Sequence, residues 1–314
     1  MSAAVEGPVQ VAIDGWDPSM GSATSALERM ATSPGPVDAN VEVPEAEWAP
    51  RSPTCAPANG PVRFVDGVRR IEGHLWVTPP GERTRQALAA SIAAGTVCCD
   101  GPSAEVEACE VQRLVVGPAG VLPTVTTTAG EFLPRAVADD DADTLRAGVQ
   151  ERLRRLERRL LERAADSDLL IVDGPLDGSV AVDHAVGYVK THHVAYLEDA
   201  VARTVADLAP GQRTPLFLAT SSWTRFSWYL RLPYGTGHPW AGIVRCEASG
   251  DLPVADVVTL ADRVAATLPR FASQPHKDRR APQNLYPIGG LEKQLTHRLG
   301  DAAHVLRALR AGVA

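Results

Sequence analysis

The stretch Leu169-Leu170-Ile171-Val172-Asp173-Gly174-Pro175-Leu176 constrains the fold more than any other part of the chain. A run of Leu, Ile and Val without polar alternation is the pattern of a strand covered on both faces. A shorter apolar run ends in the same way, at Phe64-Val65-Asp66-Gly67. A carboxylate at the end of such a strand lies at the edge of the core, where loss of water disfavours its charge unless a partner compensates. Each Asp-Gly step alone also reads as a plain turn after a strand. If the two converge on a divalent cation, they supply much of what metal-assisted phosphodiester hydrolysis requires.

At 314 residues, with 45% hydrophobic and 22% charged residues, the chain can bury a substantial core as one large domain or two small ones. The formal net charge of -7 means that nucleic-acid binding would need a local basic surface. No apolar run approaches about 18 residues, so no membrane span is expected. The N-terminus lacks a basic segment followed by an apolar one, so no secretory signal is expected. Cys55, Cys98, Cys99, Cys109 and Cys246 are odd in number and contain no C-x-x-C pair, which speaks against a disulfide framework or a zinc site. A cytoplasmic location follows as the expectation.

Residues 1–60 are rich in Pro, Ser, Gly and acidic side chains, and read as a partly irregular, loosely packed N-terminal arm with a short helix near Ala23 to Ala31. Residues 61–314 read as one catalytic domain. Strands are expected at Val62 to Val68, Ile71 to Val77, Thr96 to Cys99 and Cys109 to Val116, with a helix from Arg83 to Ala94 between them. A long helix from Ala142 to Ala165 follows an acidic cluster that suits its N-terminal dipole. Beyond the Asp173 strand, strands are expected at Ala185 to Val189, Leu216 to Thr220, Trp228 to Leu232 and Ala241 to Glu247. Helices are expected at Ala195 to Leu208, Val254 to Leu268 and Gly290 to Leu309, the second bracketed by Pro253 and Pro269. Strands followed by mixed helices and strands define an α/β or α+β fold.

On a wheel of about 100° per residue, Val149, Leu153, Leu156, Leu160, Leu161 and Ala164 form one stripe of the long helix. Glu157 falls inside it, although Glu is seldom buried without a partner. One reading pairs it with Arg154 or Arg158 at the edge of the stripe. The other points it at Asp66 and Asp173, giving the order Asp on a strand, Glu on a helix, Asp on a later strand.

That order is similar to the acidic arrangement of ribonuclease-H-like nucleases, and residues 60–310 resemble the NurA nuclease family. The resemblance is carried by Val65-Asp66-Gly67, Glu157, Leu170-Ile171-Val172-Asp173-Gly174-Pro175-Leu176, Gly187-Tyr188-Val189-Lys190, Ile243-Val244-Arg245-Cys246-Glu247 and Asn284-Leu285-Tyr286-Pro287. It implies an α/β, ribonuclease-H-like mixed sheet flanked by helices, with the irregular arm before it and the C-terminal helices after. It also implies dependence on Mn²⁺ or Mg²⁺, a homodimer, and a HerA-like hexameric ATPase as partner in DNA end processing. Asp66, Glu157 and Asp173 would be the metal ligands and Tyr286 an accessory site residue. The family often carries a His about two turns after the Tyr-Pro; Gln294 stands there in this chain, with Glu292 and His297 nearby.

Lys190 ends a strand pattern shortly after Asp173. It is read either as a solvated strand end or as a cation that contacts the scissile phosphate or orients water. His192 and His193 are read as surface or loop residues. The arginines of the long helix (Arg152, Arg154, Arg155, Arg158, Arg159, Arg163) read as a solvated face, as phosphate contacts or as a partner-facing surface, and the stretch His276-Lys277-Asp278-Arg279-Arg280, just before Tyr286, is the better candidate to face DNA. Trp223, Phe226, Trp228 and Tyr229 suit core packing better than base stacking. The chain lacks a G-x-x-x-x-G-K-[ST] loop and a G-x-S-x-G elbow, which excludes a Walker ATPase site and leaves a serine hydrolase unsupported. The expected function is a metal-dependent DNA nuclease. The rival readings are a catalytically inactive adaptor or DNA clamp for the ATPase, and a related enzyme acting on RNA or small phosphates.

Overall fold

The computed structural model describes residues 16, 31–32, 35–78, 83–120, 122–176, 178, 180, 182–235 and 237–313. In chain order its strands are β1 (Ala31–Thr32), β2 (Val37–Asp38), β3 (Val62–Val77), β4 (Arg85–Asp100), β5 (Ser103–Pro118), β6 (Val125–Thr127), β7 (Gly130–Val137), β8 (Leu169–Asp173), β9 (Ala185–Val189), β10 (Val194–Ala195), β11 (Phe217–Thr220), β12 (Thr224–Arg231) and β13 (Ile243–Ser249). The helices are α1 (Ala142–Arg163), α2 (Asp199–Asp207), α3 (Val254–Thr267), α4 (Tyr286–Arg298) and α5 (Ala302–Gly312). The chain divides into two compact units, one of Met1–Pro57 with Tyr188–Tyr286, the other of Ala58–Gly187 with Pro287–Ala314.

The Ala58–Gly187 unit carries a mixed sheet in the order β8-β3-β4-β5-β7-β6, parallel at β8-β3 and β5-β7 and antiparallel elsewhere. Helices cover both faces of it. The missing side chain of Gly67 faces Leu153 and Glu157 of α1. The missing side chain of Gly95, which pairs with the neighbouring Asp66, faces Leu291 and Leu295 of α4. Because side chains alternate along a strand, these two directions are opposite faces. The mixed α/β sheet flanked by helices expected from the sequence is therefore present.

Burial on both faces accounts for the main error in the expected elements. Residues 87–97 of β4 are buried without a break, so the strand shows no period of two. The alanine-rich segment from Arg83 to Ala94, read from the sequence as a helix, is strand from Arg85 onward, its short side chains leaving room for helices above and below. The two strands expected between Val62 and Val77 are one strand, β3, with a bulge between Ile71 and Gly73. Glu72, at that bulge, has a side chain only 1% exposed and pairs with Arg70 at 2.9 Å. Arg70 and Arg113 in turn donate to the Gly300 and Leu299 carbonyls just past α4, at 2.8 and 3.2 Å.

The C-terminal helix expected from Gly290 to Leu309 is accordingly two helices. Gly300 takes a φ of +79°, and the Asp301 side chain accepts the His304 N–H at 2.7 Å to start α5. The apolar side of α5 packs Val305 and Leu309 against Ala87, Ala89, Val115, Val125 and Phe132. Strands β6 and β7 were not anticipated.

In the other unit, β2, β11, β12 and β13 form an antiparallel series, and β1 pairs in parallel with β10. Val205 and Leu208, on and just after α2, pack over Phe217, Ala219, Tyr229 and Ile243. Helix α2 begins at Asp199 rather than Ala195, because Val194 and Ala195 are taken by β10. Residues 35–57, expected to be loosely packed, are tied down by buried polar contacts. Arg213, 1% exposed, pairs with Glu42 at 2.9 Å and with Asp262 at 2.7 Å, and the Thr54 hydroxyl donates to Asp262 at 2.6 Å. The short helix expected near Ala23 lies outside the described residues, apart from Ala31, which is in β1.

His192 corrects another expectation. It is 2% exposed, with its ring 5.2 Å from that of Trp240 and 5.7 Å from that of Tyr229. Only His193 of the pair is exposed, as the alternation of an extended chain requires. Burial holds the His192 pKa down at about 4, against the opposing pull of the Ile243 carbonyl. The unfolded chain therefore takes up a proton at higher pH than the folded one. Stability from neutral His192 is complete above pH 6.5 and is lost as the pH falls through 4. Lowering the pH from 7 to 4 should cost wild type about 3 kcal/mol through this residue, a loss that His192→Phe should escape. Urea denaturation of both proteins across that range measures the difference.

Candidate active site

Asp66 and Asp173 occupy the positions just after Val65 and Val172, the last paired residues of the parallel β3-β8 ladder. Adjacent strands lie about 4.8 Å apart, so the two Asp-Gly steps are neighbours in the sheet. Asp66 is 6% exposed, and its Oδ1 accepts the N–H of Gly67 at 2.7 Å. Gly174 has a φ of +97°, a left-handed turn that ends β8 and that glycine adopts without strain. The turn is packed tightly, since a Cβ on Gly187 of β9 would come within 2.7 Å of the Leu176 nitrogen.

Helix α1 supplies the third acid. Asp141 caps it, accepting the N–H groups of Asp143 and Thr144 at 3.1 and 3.0 Å. Its buried residues are Leu145, Val149, Leu153, Leu156, Leu160 and Leu161, the stripe read from the sequence. Glu157 lies on that stripe with its carboxyl over Gly67, where any Cβ would fall on Glu157 Oε1. Burial, and next to it the charge of Asp173, push the Glu157 carboxyl up to about 7, while Arg154 and Arg69 oppose the shift.

The structure thus brings Glu157 to the backbone of the Asp66–Gly67 step and within electrostatic reach of Asp173. The Cβ of Asp66 leaves β3 on the side away from Gly67, towards the face that carries α4. Among the described residues, no group of three or more His, Cys, Asp or Glu side chains is arranged to hold a metal ion. The donor set itself, carboxylate oxygens with two of them in mutual repulsion, has the chemistry that a hard divalent cation takes.

Lys190 and Tyr286 belong to the unit that contains residues 188–286. Lys190 is not a solvated strand end: it is 9% exposed, and its Nζ donates to Asn284 Oδ1 at 3.1 Å. The Asn284 Nδ2 donates to Asp278 Oδ2 at 2.8 Å, which fixes the orientation of the amide. Tyr286 is 38% exposed, with the Lys277 ammonium 5.5 Å from its ring centre. Gln294 and His297 lie on α4 and, with Lys293 and Arg298, line an open cleft of about 660 Å³.

Several of the α1 arginines are already engaged: Arg159 and Arg163 with Glu110, Arg155 with Glu151, and Arg152 with Gln112. Such exposed pairs stabilise little. Phe226, Trp228 and Tyr229 are core residues, and only Trp223 of that aromatic group is half-buried. Asn284 stands in the Asn284-Leu285-Tyr286-Pro287 motif, and its contact with Lys190 is not legible from that motif. The adjacent amides Gln283-Asn284 before a helix, 94 residues from Lys190, were the available signal.

No protein-family model matches the chain, and no curated protein matches it. Solved structures similar to it include two nucleases. The NurA nuclease from Sulfolobus solfataricus is 10% identical, over 80% of this chain and 84% of that one, with a TM-score of 0.41. The catalytic domain of human Endonuclease V is 14% identical, over 87% of this chain and 92% of that one, with a TM-score of 0.30. Both likenesses are loose.

The raised carboxyl has a measurable consequence. A folded pKa above the ordinary 4.5 means that the fold binds more protons than the unfolded chain between pH 4.5 and 7. The contribution of Glu157 is therefore complete below pH 4.5 and lost as the pH rises through 7. Glu157→Gln should gain about 2–3 kcal/mol on wild type between pH 5 and pH 8 without divalent ions, as followed by chemical denaturation.

Proposed function

We propose that the chain is a metal-dependent DNA nuclease of the NurA type, with a ribonuclease-H-like catalytic core. The observation that carries this reading is Glu157. A helix delivers its carboxyl into the sheet, over the glycine that follows Asp66 and into the field of Asp173. A protein gains no stability from a desolvated acid placed in the field of a second, partly buried one, so their placement supports a role in binding a cation.

In this reading Glu157 and Asp173 would hold Mg²⁺ or Mn²⁺. Asp66, whose Cβ leaves the other side of β3, would join them by turning its carboxyl past the edge of the strand as the ion binds. One or two such ions, when bound, supply positive charge to the attacking and leaving oxygens of a phosphodiester and lower the pKa of water. Glu157 would give up its proton as the site fills, and Gly174, at the left-handed turn, directly follows Asp173. Lys190 contributes a positive charge for the phosphate, with Asn284 holding its side chain. Tyr286 offers an accessible ring and hydroxyl beside Lys277 as an accessory group. The same reading has the protein act as a homodimer with a HerA-like hexameric ATPase, in the cytoplasm, in the processing of DNA ends.

The test is cleavage of linear duplex and single-stranded DNA by the purified protein, alone and with the ATPase, in Mn²⁺ or Mg²⁺. Wild type should cleave only with the ion. Asp66→Ala and Asp173→Ala should each lower the rate by about 100-fold or more, as expected for loss of a group that stabilises charge in the transition state. Cleavage that survives both changes would sink the site. Silence of the wild type under every condition would give the adaptor reading its place.

A further inference from the structure

We propose that Trp16 is a positioning residue for Lys190, acting through the consecutive pair Gln283 and Asn284. The inference rests on the nuclease reading for its catalytic part and on hydrogen bonds within one unit of the chain for its structural part. The Trp16 indole N–H donates to Gln283 Oε1 at 2.9 Å, and both side chains are buried, at 6% and 2% exposure. The Gln283 carbonyl accepts the hydroxyl of Tyr188 at 2.7 Å, two residues before Lys190. Asn284, joined to Gln283 by a planar peptide, accepts Lys190 Nζ and donates to Asp278.

The order of contacts runs from the N-terminal part of the chain to the ammonium group. Trp16 fixes Gln283, Gln283 and Tyr188 fix the peptide before Asn284, and Asn284 fixes Lys190. A nearly buried ammonium depends on its acceptors, because a missing one is not replaced freely by water. Lysine side chains are long and rotatable, so the acceptor decides where the charge is held. The Ala31–Thr32 strand, paired with Val194 and Ala195, ties a second point of the N-terminal stretch beside the same loop. Trp16, in a stretch with no function readable from the sequence, thereby acquires one.

The chain has three lysines, Lys190, Lys277 and Lys293, so lysine-selective isotope labelling gives three side-chain NMR signals. Lys190→Arg assigns the one in question. Trp16→Phe keeps the ring and removes the N–H, and Gln283→Met removes the acceptor. Each should move the Lys190 signal and lower kcat on DNA by about three- to tenfold with KM within twofold, the size expected for one hydrogen bond. The double variant should be no worse than either single one. Trp48→Phe, which removes a different indole bond, to the Ala39 carbonyl, should change neither signal nor rate.

A Lys190 signal unmoved by Trp16→Phe overturns the inference. So does an equal effect of Trp48→Phe, which would mark a general loss of structure. If wild type cleaves no DNA, the nuclease reading fails, and the Lys190 signal still decides the coupling.

Discussion

The approach of α1 to β3 at Gly67 is the contact on which the site depends. A single methyl there would meet Glu157 Oε1 and come within 2.8 Å of Leu153, so helix and strand stand this close because the side chain is absent. The same contact takes Glu157 out of water and brings it near Asp173, which is why its carboxyl titrates near neutrality. On the other face, Gly95 and the alanines of β4 do for α4 and α5 what Gly67 does for α1. Each short side chain forgoes about 0.8 kcal/mol of burial per missing methylene, and the sheet recovers it from helices packed on two faces.

Much of this was legible in the sequence, for definable reasons. The apolar run of β8 and the wheel of α1 are local patterns, and both elements lie where expected. The helical wheel also exposed Glu157, because a charge in an apolar stripe is a local contradiction. β4 misled because burial on two faces erases alternation, and alanine favours helices when nothing else speaks. The break at Gly300 was hidden because its partners, Arg70 and Arg113, are distant in sequence. The setting of Lys190 was hidden in the same way, since its acceptor belongs to a turn 94 residues away.

The unit containing residues 188–286 is held by buried charge to an unusual degree. Glu42, Arg213 and Asp262 join three stretches of chain with almost no exposure, and Glu247 is shared by Arg225 and Arg245 at 3.0 and 2.7 Å. Tyr196 receives Arg245 against its ring at 4.3 Å. Such pairs gain little net stability over apolar groups of the same shape, yet breaking one leaves an uncompensated charge. Their effect is to make each segment fit one place, which explains how residues so rich in proline and acidic side chains at 35–57 become ordered.

The interleaving of the two units also dictates an order of events on the ribosome. Val37 and Asp38 emerge long before β11, the strand they pair with at Leu218 and Ala219. All of β3 to β8 is synthesised in between, while its own covering helices α4 and α5 come later still. Neither unit can complete its packing while the other is being made, so nascent chains expose an uncovered sheet face for most of synthesis. Closure over such long sequence separations is slow, and incomplete chains with open sheet surfaces aggregate. Expression of this protein should therefore respond to chaperone supply and to translation rate more than its finished stability would suggest.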